Sequence, residues 1–68
     1  MSHTETYTVT GMTCGHCAAS VREEISEIAG VEGVEVVVDS GAVTVTSGAP
    51  LERSAVDAAV AEAGYALV

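Results

Sequence analysis

Residues 4–30 read TETYTVTGMTCGHCAASVREEISEIAG, and the spacing of the apolar side chains changes once along this stretch. In its first part, Tyr7 and Val9 alternate with threonines, so that apolar and hydroxyl side chains take opposite faces. A period of two, built from β-branched and aromatic residues, predicts a β-strand over Thr4–Thr10, which Gly11 ends.

The second part of the stretch has a helical spacing. From Gly15 to Ala29 the apolar residues lie three or four positions apart, and the face that they share consists of Cys17, Val21, Ile25 and Ile28. Charged side chains take the other face, and Gly30 follows as a helix stop. We therefore expect a strand that passes through a short loop into an amphipathic helix over 15–29.

The remainder of the chain repeats both patterns. Alternating valines predict a second strand over 34–39 and a third over 43–46, joined by a turn at 39–41. Pro50 suits the start of a second helix, and the apolar face of this helix consists of Leu51, Val56, Val60 and Ala63. Gly64 ends that helix, and a short final strand is expected over 65–68.

The expected order, β-α-β-β-α-β, divides into two β-α-β halves whose helices resemble each other. The matching positions, 35 residues apart, are Val21, Ile25, Glu27 and Ile28 in the first helix and Val56, Val60, Glu62 and Ala63 in the second. This order predicts an α+β fold, the ferredoxin-like βαββαβ sandwich, in which a four-stranded antiparallel sheet carries both helices on one face. One such domain accounts for residues 1–68.

Composition excludes several classes of function. The 68 residues have a net charge of −8, from ten acids and two arginines, whereas nucleic-acid binders carry a basic footprint. The same charge argues against an anionic membrane surface. No apolar run approaches a membrane span and no secretion signal is visible, so we expect a soluble, cytoplasmic protein. The acidity serves either solubility alone or a partner whose docking face is basic or neutral.

The junction between the first strand and the first helix, residues 11–17, carries the chemistry. Cys14 is expected in the loop and Cys17 in the first helical turn, where backbone N–H groups and the helix dipole stabilise thiolates. Gly15 between them is expected to relieve backbone strain. Both sulfurs can then reach one cation. A disulfide across this spacing would close a very small loop and add little stability.

The ligand set favours a soft metal ion. Thiolates prefer soft ions, and Cu(I) accepts two sulfurs, whereas Zn(II) normally takes four ligands. No carboxylate lies between Gly11 and Ser20 to complete a zinc shell. The residues therefore predict a soft ion, for which Cu(I) is the first candidate and Hg(II), Ag(I) or Zn(II) are alternatives in vitro, and the choice of copper rests mainly on the family resemblance given below.

Three side chains near the motif have two interpretations each, and His3 has one. His16 should point roughly 100° around the helix from Cys17, which favours an exposed or supporting role over metal ligation. Met12 is read as core beneath the loop in preference to a thioether ligand. Tyr65 is either a ring that shields the metal loop from water or an ordinary core aromatic. His3 is expected to belong to a mobile terminus.

At this motif the chain resembles the heavy-metal-associated domain family, and within it the small bacterial copper chaperones of the CopZ type. The resemblance covers nearly the whole chain, and the residues that carry it are Gly11-Met12-Thr13-Cys14-Gly15-His16-Cys17, Val21, Ile25, Ile28, Gly30-Val31, Val34, Gly41-Ala42-Val43-Thr44-Val45 and Gly64-Tyr65. A bare C-x-x-C pair is weak evidence, but G-M-T-C-x-x-C within this order of elements is specific.

The resemblance implies a function without catalysis. It implies that Cys14 and Cys17 bind one Cu(I) and pass it to the metal-binding domain of a copper-transporting P-type ATPase. Zinc and cadmium relatives often carry an aspartate where this chain has Thr13, which lowers the zinc interpretation. Tyr65 resembles the bacterial version of the loop beside the metal, where eukaryotic relatives usually carry a lysine.

Three alternatives remain open. The chain can be a copper buffer in which two copies share copper through four cysteines, with His16 as an outer ligand. It can also be a metal-binding domain excised from such an ATPase. A thiol–disulfide oxidoreductase is the third alternative, although the two cysteines do not bracket Gly-Pro and no tryptophan precedes them.

Overall fold

Four strands and two helices alternate in the expected order in the computed structural model, which describes residues 2–13 and 15–68. The elements are β1 (His3–Thr10), α1 (Gly15–Ser26), β2 (Val31–Val37), β3 (Ala42–Ser47), α2 (Arg53–Glu62) and β4 (Ala66–Leu67). Hydrogen bonds order the strands β2-β3-β1-β4, and all neighbours are antiparallel. The ferredoxin-like α+β fold expected from the sequence is confirmed.

The core lies between the helices and the sheet. Its fully buried side chains come in pairs from α1, α2 and β3, and they are Val21, Ile25, Val56, Val60, Val43 and Val45. Tyr7 and Val9 add the inner face of β1, while the threonines of that strand are exposed on the other face. The period-two and helical patterns therefore identified the buried faces correctly, because each pattern reports which side chains share a face.

Helix α1 is three residues shorter than expected. It ends at Ser26 and not at Ala29. The amide groups of Glu27 and Ile28 bond to carbonyl oxygens three residues back, at 3.3 and 3.0 Å, so the last turn tightens. Ile28 remains packed against the core through this turn, which is why the apolar spacing continues past the helix end.

The second helix begins later than expected. Helix α2 starts at Arg53 with Glu52 as its N-cap residue, so Pro50 precedes the helix and does not open it. The carbonyl oxygen of Glu52 accepts hydrogen bonds from the amides of Ala55 and Val56, at 3.0 and 3.4 Å. Those bonds define the first turn, whereas residues 48–52 form the connection from β3.

Strand ends also differ from the sequence pattern. Strand β2 begins at Val31, before the expected start at Val34. Its pairing with β3 has a register shift between Val31 and Gly33, and this shift breaks the alternation that would have marked these residues as strand. His3 lies in β1 opposite Ser47, so the expectation that it belongs to a mobile terminus is wrong. Strand β4 is limited to 66–67. Across the described residues, neither helix has the length and apolar character needed to cross a bilayer.

Candidate metal site

The loop between β1 and α1 brings the motif to one end of the molecule. Gly11, Met12 and Thr13 leave the strand, and Gly15 opens the helix. Cys14 lies outside the described residues, so its expected place in the loop stays a prediction. Cys17 is in the first turn of α1, as the sequence predicted.

Cys17 is held on one side by the protein core. Its side chain is half-buried and packs against the core cluster, on the same helical face as Val21 and Ile25. The hydroxyl Oγ1 of Thr13 lies 3.9 Å from the Cys17 Sγ, within hydrogen-bonding distance for sulfur. A thiolate at this position accepts that hydrogen bond, and the amino end of α1 adds further stabilisation of its negative charge.

Met12 packs inward beneath the loop. Only 9% of the residue is exposed, and it belongs to the buried cluster that includes Tyr7 and Val9. The structure therefore places Met12 in the core, as expected, although its position has the parity of the exposed threonines of β1. The chain leaves the strand at Gly11, so the alternation does not extend to Met12. Its thioether anchors the loop by burial, while the neighbouring Thr13 is exposed.

Tyr65 reaches the loop from the other end of the chain. The end of α2 has the Schellman geometry: Gly64 has φ +94°, its amide bonds to the Ala61 oxygen, and the Tyr65 amide bonds to the Val60 oxygen. This turn aims the ring at Gly11, where an added Cβ would lie 3.2 Å from the Tyr65 Cδ1. The half-buried Tyr65 thus lies against Gly11 of the loop and also packs against the core cluster, so both of its interpretations stay open.

The glycine with a special conformation in this loop is Gly11 and not Gly15. Gly15 is the first residue of α1, has no positive φ, and would leave an added Cβ without contacts within 4 Å. Backbone strain relief is therefore not its role. Gly11 has φ +94° and lies against Tyr65, so it is the glycine that the loop requires. The sequence signal for this conformation was the position of Gly11 directly after a strand.

His16 is exposed on the first turn of α1, beside Cys17 in sequence. Outside Cys14, no three side chains of histidine, cysteine, aspartate or glutamate gather into a group that would hold a metal ion. Residues 11–21 also contain no acid, lysine or arginine. In the described part of the loop and first turn, Cys17 is therefore surrounded by side chains without a carboxylate, lysine or arginine.

Comparisons with known proteins agree with this geometry. The model of the heavy-metal-associated domain family matches residues 6–66. A COP-associated protein of Helicobacter felis is 37% identical over 59 residues, which cover 87% of this chain and 89% of that protein.

Two solved structures show the same fold at similar identity. A CopZ metallochaperone superimposes with a TM-score of 0.90 at 31% identity, covering 97% of this chain and all of that chain. Oxidized MerP from Ralstonia metallidurans CH34 gives a TM-score of 0.87 at 33% identity, covering 100% of this chain and 96% of that chain. With its fold, its motif and these matches, the chain belongs to the heavy-metal-associated domain family.

Proposed function

We propose that this chain is a Cu(I) carrier that binds one ion between the thiolates of Cys14 and Cys17. One observation carries the proposal: Cys17 is held against the core in the first turn of α1, while Thr13, Gly15 and His16 around it are exposed. The site is thus supported from inside and accessible from outside. Two thiolates satisfy Cu(I), and the names of the relatives, COP-associated protein and CopZ metallochaperone, support copper as the ion.

Transfer follows from the low number of ligands. A thiolate of the acceptor adds to the bound Cu(I) and gives a three-sulfur intermediate, from which Cys14 or Cys17 dissociates. A second acceptor thiolate then displaces the remaining cysteine in the same way, which releases the ion from this chain. The proton released by the acceptor thiol balances the one taken up by the departing cysteine, and copper remains Cu(I) throughout. The acceptor that we propose is the metal-binding domain of a copper-transporting P-type ATPase, and the place of transfer is the cytoplasm.

The neighbouring residues have supporting roles in this proposal. Thr13 donates a hydrogen bond to the Cys17 thiolate, Met12 holds the loop from below, and the Tyr65 ring limits access of water beside Gly11. Gly15 leaves the first turn of α1 open to the incoming thiolate, and His16 remains outside the ligand set.

An anaerobic competition titration tests the site. We expect Cys14→Ser and Cys17→Ser each to weaken Cu(I) binding by more than about 100-fold. Losing a metal ligand should cost more affinity than losing a residue that only supports a ligand, which costs up to about 100-fold. His16→Asn is the matched control in the same turn, and it should bind as the unmodified protein does. Unchanged competition against a Cu(I) chelator in either cysteine variant would refute the assignment. Zn(II) and Hg(II) in the same titration test the choice of ion.

Sedimentation with increasing Cu(I) distinguishes the carrier from a copper buffer. A carrier stays monomeric up to one equivalent of Cu(I), whereas a buffer of two copies sharing copper doubles its mass as the metal is added. Insulin reduction tests the oxidoreductase alternative, because clear turnover would displace the carrier.

A further inference from the structure

The outer face of the sheet, on the side away from the helices, carries the exposed large hydrophobic side chains of the described residues. They are Val37 on β2 and Val68 after β4, which are 48% and 71% exposed. Val36 packs against the core, so the alternation of the strand turns Val37 to the outer face. Leu67 also packs against the core, so Val68 is turned to the outer face in the same way.

The two valines lie in one row across the four strands. Strand pairing sets Val37 opposite Ala42, and Ala42 opposite Thr8. The amide of Val68 donates to the Thr8 oxygen at 2.9 Å, which continues the pairing of β4 with β1. We call these four residues the valine row. The other paired positions of the outer face on β1, β3 and β4 are occupied by Thr4, Thr6, Thr10, Thr44, Thr46 and Ala66.

Several hydroxyl groups of the outer face already have partners within the sheet. The Oγ1 atoms of Thr6 and Thr44 lie 3.4 Å apart, within hydrogen-bonding distance. The Thr10 Oγ1 donates to the Ala66 oxygen at 3.3 Å. A polar group that keeps its hydrogen bond costs less to remove from water than one that loses it. The outer face can therefore be covered by another uncharged surface at a low desolvation cost.

The outer face also carries little charge. Among the described residues at its paired positions, Glu35 alone is charged, and it lies on the edge strand β2. Glu32 and Asp39 lie beside the face, in the bulge of β2 and in the turn after it. Because the chain has a net charge of −8, two copies repel each other wherever their acids meet. They can approach through the outer face with little repulsion, whereas a basic partner would be drawn to the acids elsewhere.

We propose that the outer face binds a second copy of this chain in a weak dimer that needs no metal. A two-fold axis between the two sheets, parallel to the strands and midway between β1 and β3, places Val37 of one copy on Val68 of the other. The same axis places Ala42 on Thr8, so the valine row covers its own counterpart. An axis across the strands at the centre of the face would instead place Glu35 on Val37, which buries a carboxylate without a partner.

The size of the outer face makes this dimer weak. Four strands about 4.8 Å apart and rows of side chains about 7 Å apart give each copy a face of roughly 400 Å². Two copies then bury about 800 Å² in total, less than the ~1,200 Å² at which stable complexes begin. We therefore expect a dissociation constant on the order of 0.1–1 mM. At micromolar concentration the chain is monomeric, so this dimer does not disturb the copper titration described above.

The dimer leaves the metal loop free. Rotation about an axis parallel to the strands keeps the direction of each strand, so the loops that follow Thr10 lie at the same end of both copies. That loop is not part of the outer face, and each copy can still meet an acceptor. The dimer therefore differs from one that is bridged by copper, and it does not depend on the proposed Cu(I) binding.

Sedimentation equilibrium of the metal-free protein, with a chelator and a reductant present, tests the dimer. The average mass should rise between about 0.05 and 2 mM, a range that brackets the expected dissociation constant. Association should be at least about threefold tighter in 1 M than in 0.1 M NaCl, because the Debye length falls from about 10 to 3 Å. A mass that stays at one copy in both salts would overturn the dimer while leaving the Cu(I) carrier intact.

Charged variants test the surface that forms the dimer. Val37→Glu puts a carboxylate into the valine row and should weaken association by about tenfold or more, the cost of burying a charge without a partner. Ala58→Glu, at an exposed position of α2, adds the same charge and should weaken association by less than about twofold in 1 M NaCl. Circular dichroism checks that both variants fold. Equal weakening by the two variants would overturn the role of the outer face.

A mixture of two variants tests the two-fold arrangement. Val37→Lys and Val68→Glu should associate with each other more tightly than either does with itself, because the axis brings these two positions together. No gain in the mixture would overturn the arrangement. Dilution of the unmodified protein, followed by amide chemical shifts in NMR spectra, provides a test without any variant. The shifts should change along the valine row, and changes confined to the helices would overturn the proposed face.

Discussion

The two β-α-β halves of the molecule share a packing plan and differ where their helices begin. In each half the helix buries two side chains completely, Val21 and Ile25 in α1 and Val56 and Val60 in α2. Each helix is followed by a glycine of positive φ, +92° at Gly30 and +94° at Gly64.

The first turns of the two helices carry side chains with different roles. That of α1 carries Cys17 beneath an exposed loop, whereas that of α2 carries Arg53, whose side chain bonds to Val68 and lies over the Tyr7 ring. The repeated apolar positions therefore account for the fold, while the residues in and just before the first turn of each helix account for the difference between the two ends. Substitutions in the core and near the helix ends should accordingly have separate effects on stability and on Cu(I) binding.

The largest effects should come from equivalent core positions. Ile25→Ala and Val60→Ala each remove a fully buried side chain, and each should lower the free energy of unfolding of the metal-free protein by about 3 kcal/mol. Urea denaturation followed by circular dichroism measures both. Ile28→Ala, at a half-buried position, is the control and should cost clearly less. A cost below about 1 kcal/mol for either buried position would show that the two halves do not contribute alike.

An intermediate effect should separate the two helix ends. Alanine at Gly30 or at Gly64 must adopt a positive φ in open space, so each substitution should cost about 1 kcal/mol of stability. Gly64, unlike Gly30, precedes the tyrosine that lies on Gly11. Gly64→Ala should therefore weaken Cu(I) binding by about tenfold, which is the smallest loss of affinity usual for residues that support metal ligands. Gly30→Ala should leave Cu(I) affinity unchanged. Equal Cu(I) affinities would show that the position of Tyr65 does not matter for binding.

The smallest effect concerns the two arginines. Arg53→Gln removes the hydrogen bond to Val68 and the contact with Tyr7. It should therefore lower the free energy of unfolding by about 1 kcal/mol. Arg22→Gln removes no such contact and should change stability by less than about 0.5 kcal/mol. Thermal unfolding of the metal-free variants measures both. A destabilised Arg22→Gln protein would mean that the exposed Arg22 side chain stabilises the folded state.

Much of the site was predictable because its parts lie close together in sequence. The change of period at Gly11 predicted a strand, a loop and a helix, and the helical spacing predicted Cys17 in the first turn of that helix, where the structure has it. The place expected for Cys14 in the loop stays a prediction. The inward position of Met12 does not follow from the alternation of β1, which would place it with the exposed threonines, but from the loop that begins at Gly11. Gly15 was misread, since its neighbours in sequence resemble a tight loop, yet it is an ordinary residue of the first helical turn.

The sequence by itself determined the order of elements and their buried faces, because these depend on residues two to four positions apart and on side-chain type, and it predicts the thiolate chemistry that we propose. Only the tertiary structure decided that Tyr65 lies on Gly11, that β2 starts at Val31, and that His3 extends β1. Each of these depends on contacts between distant segments. Such contacts are set by strand register and helix caps, which no local pattern records.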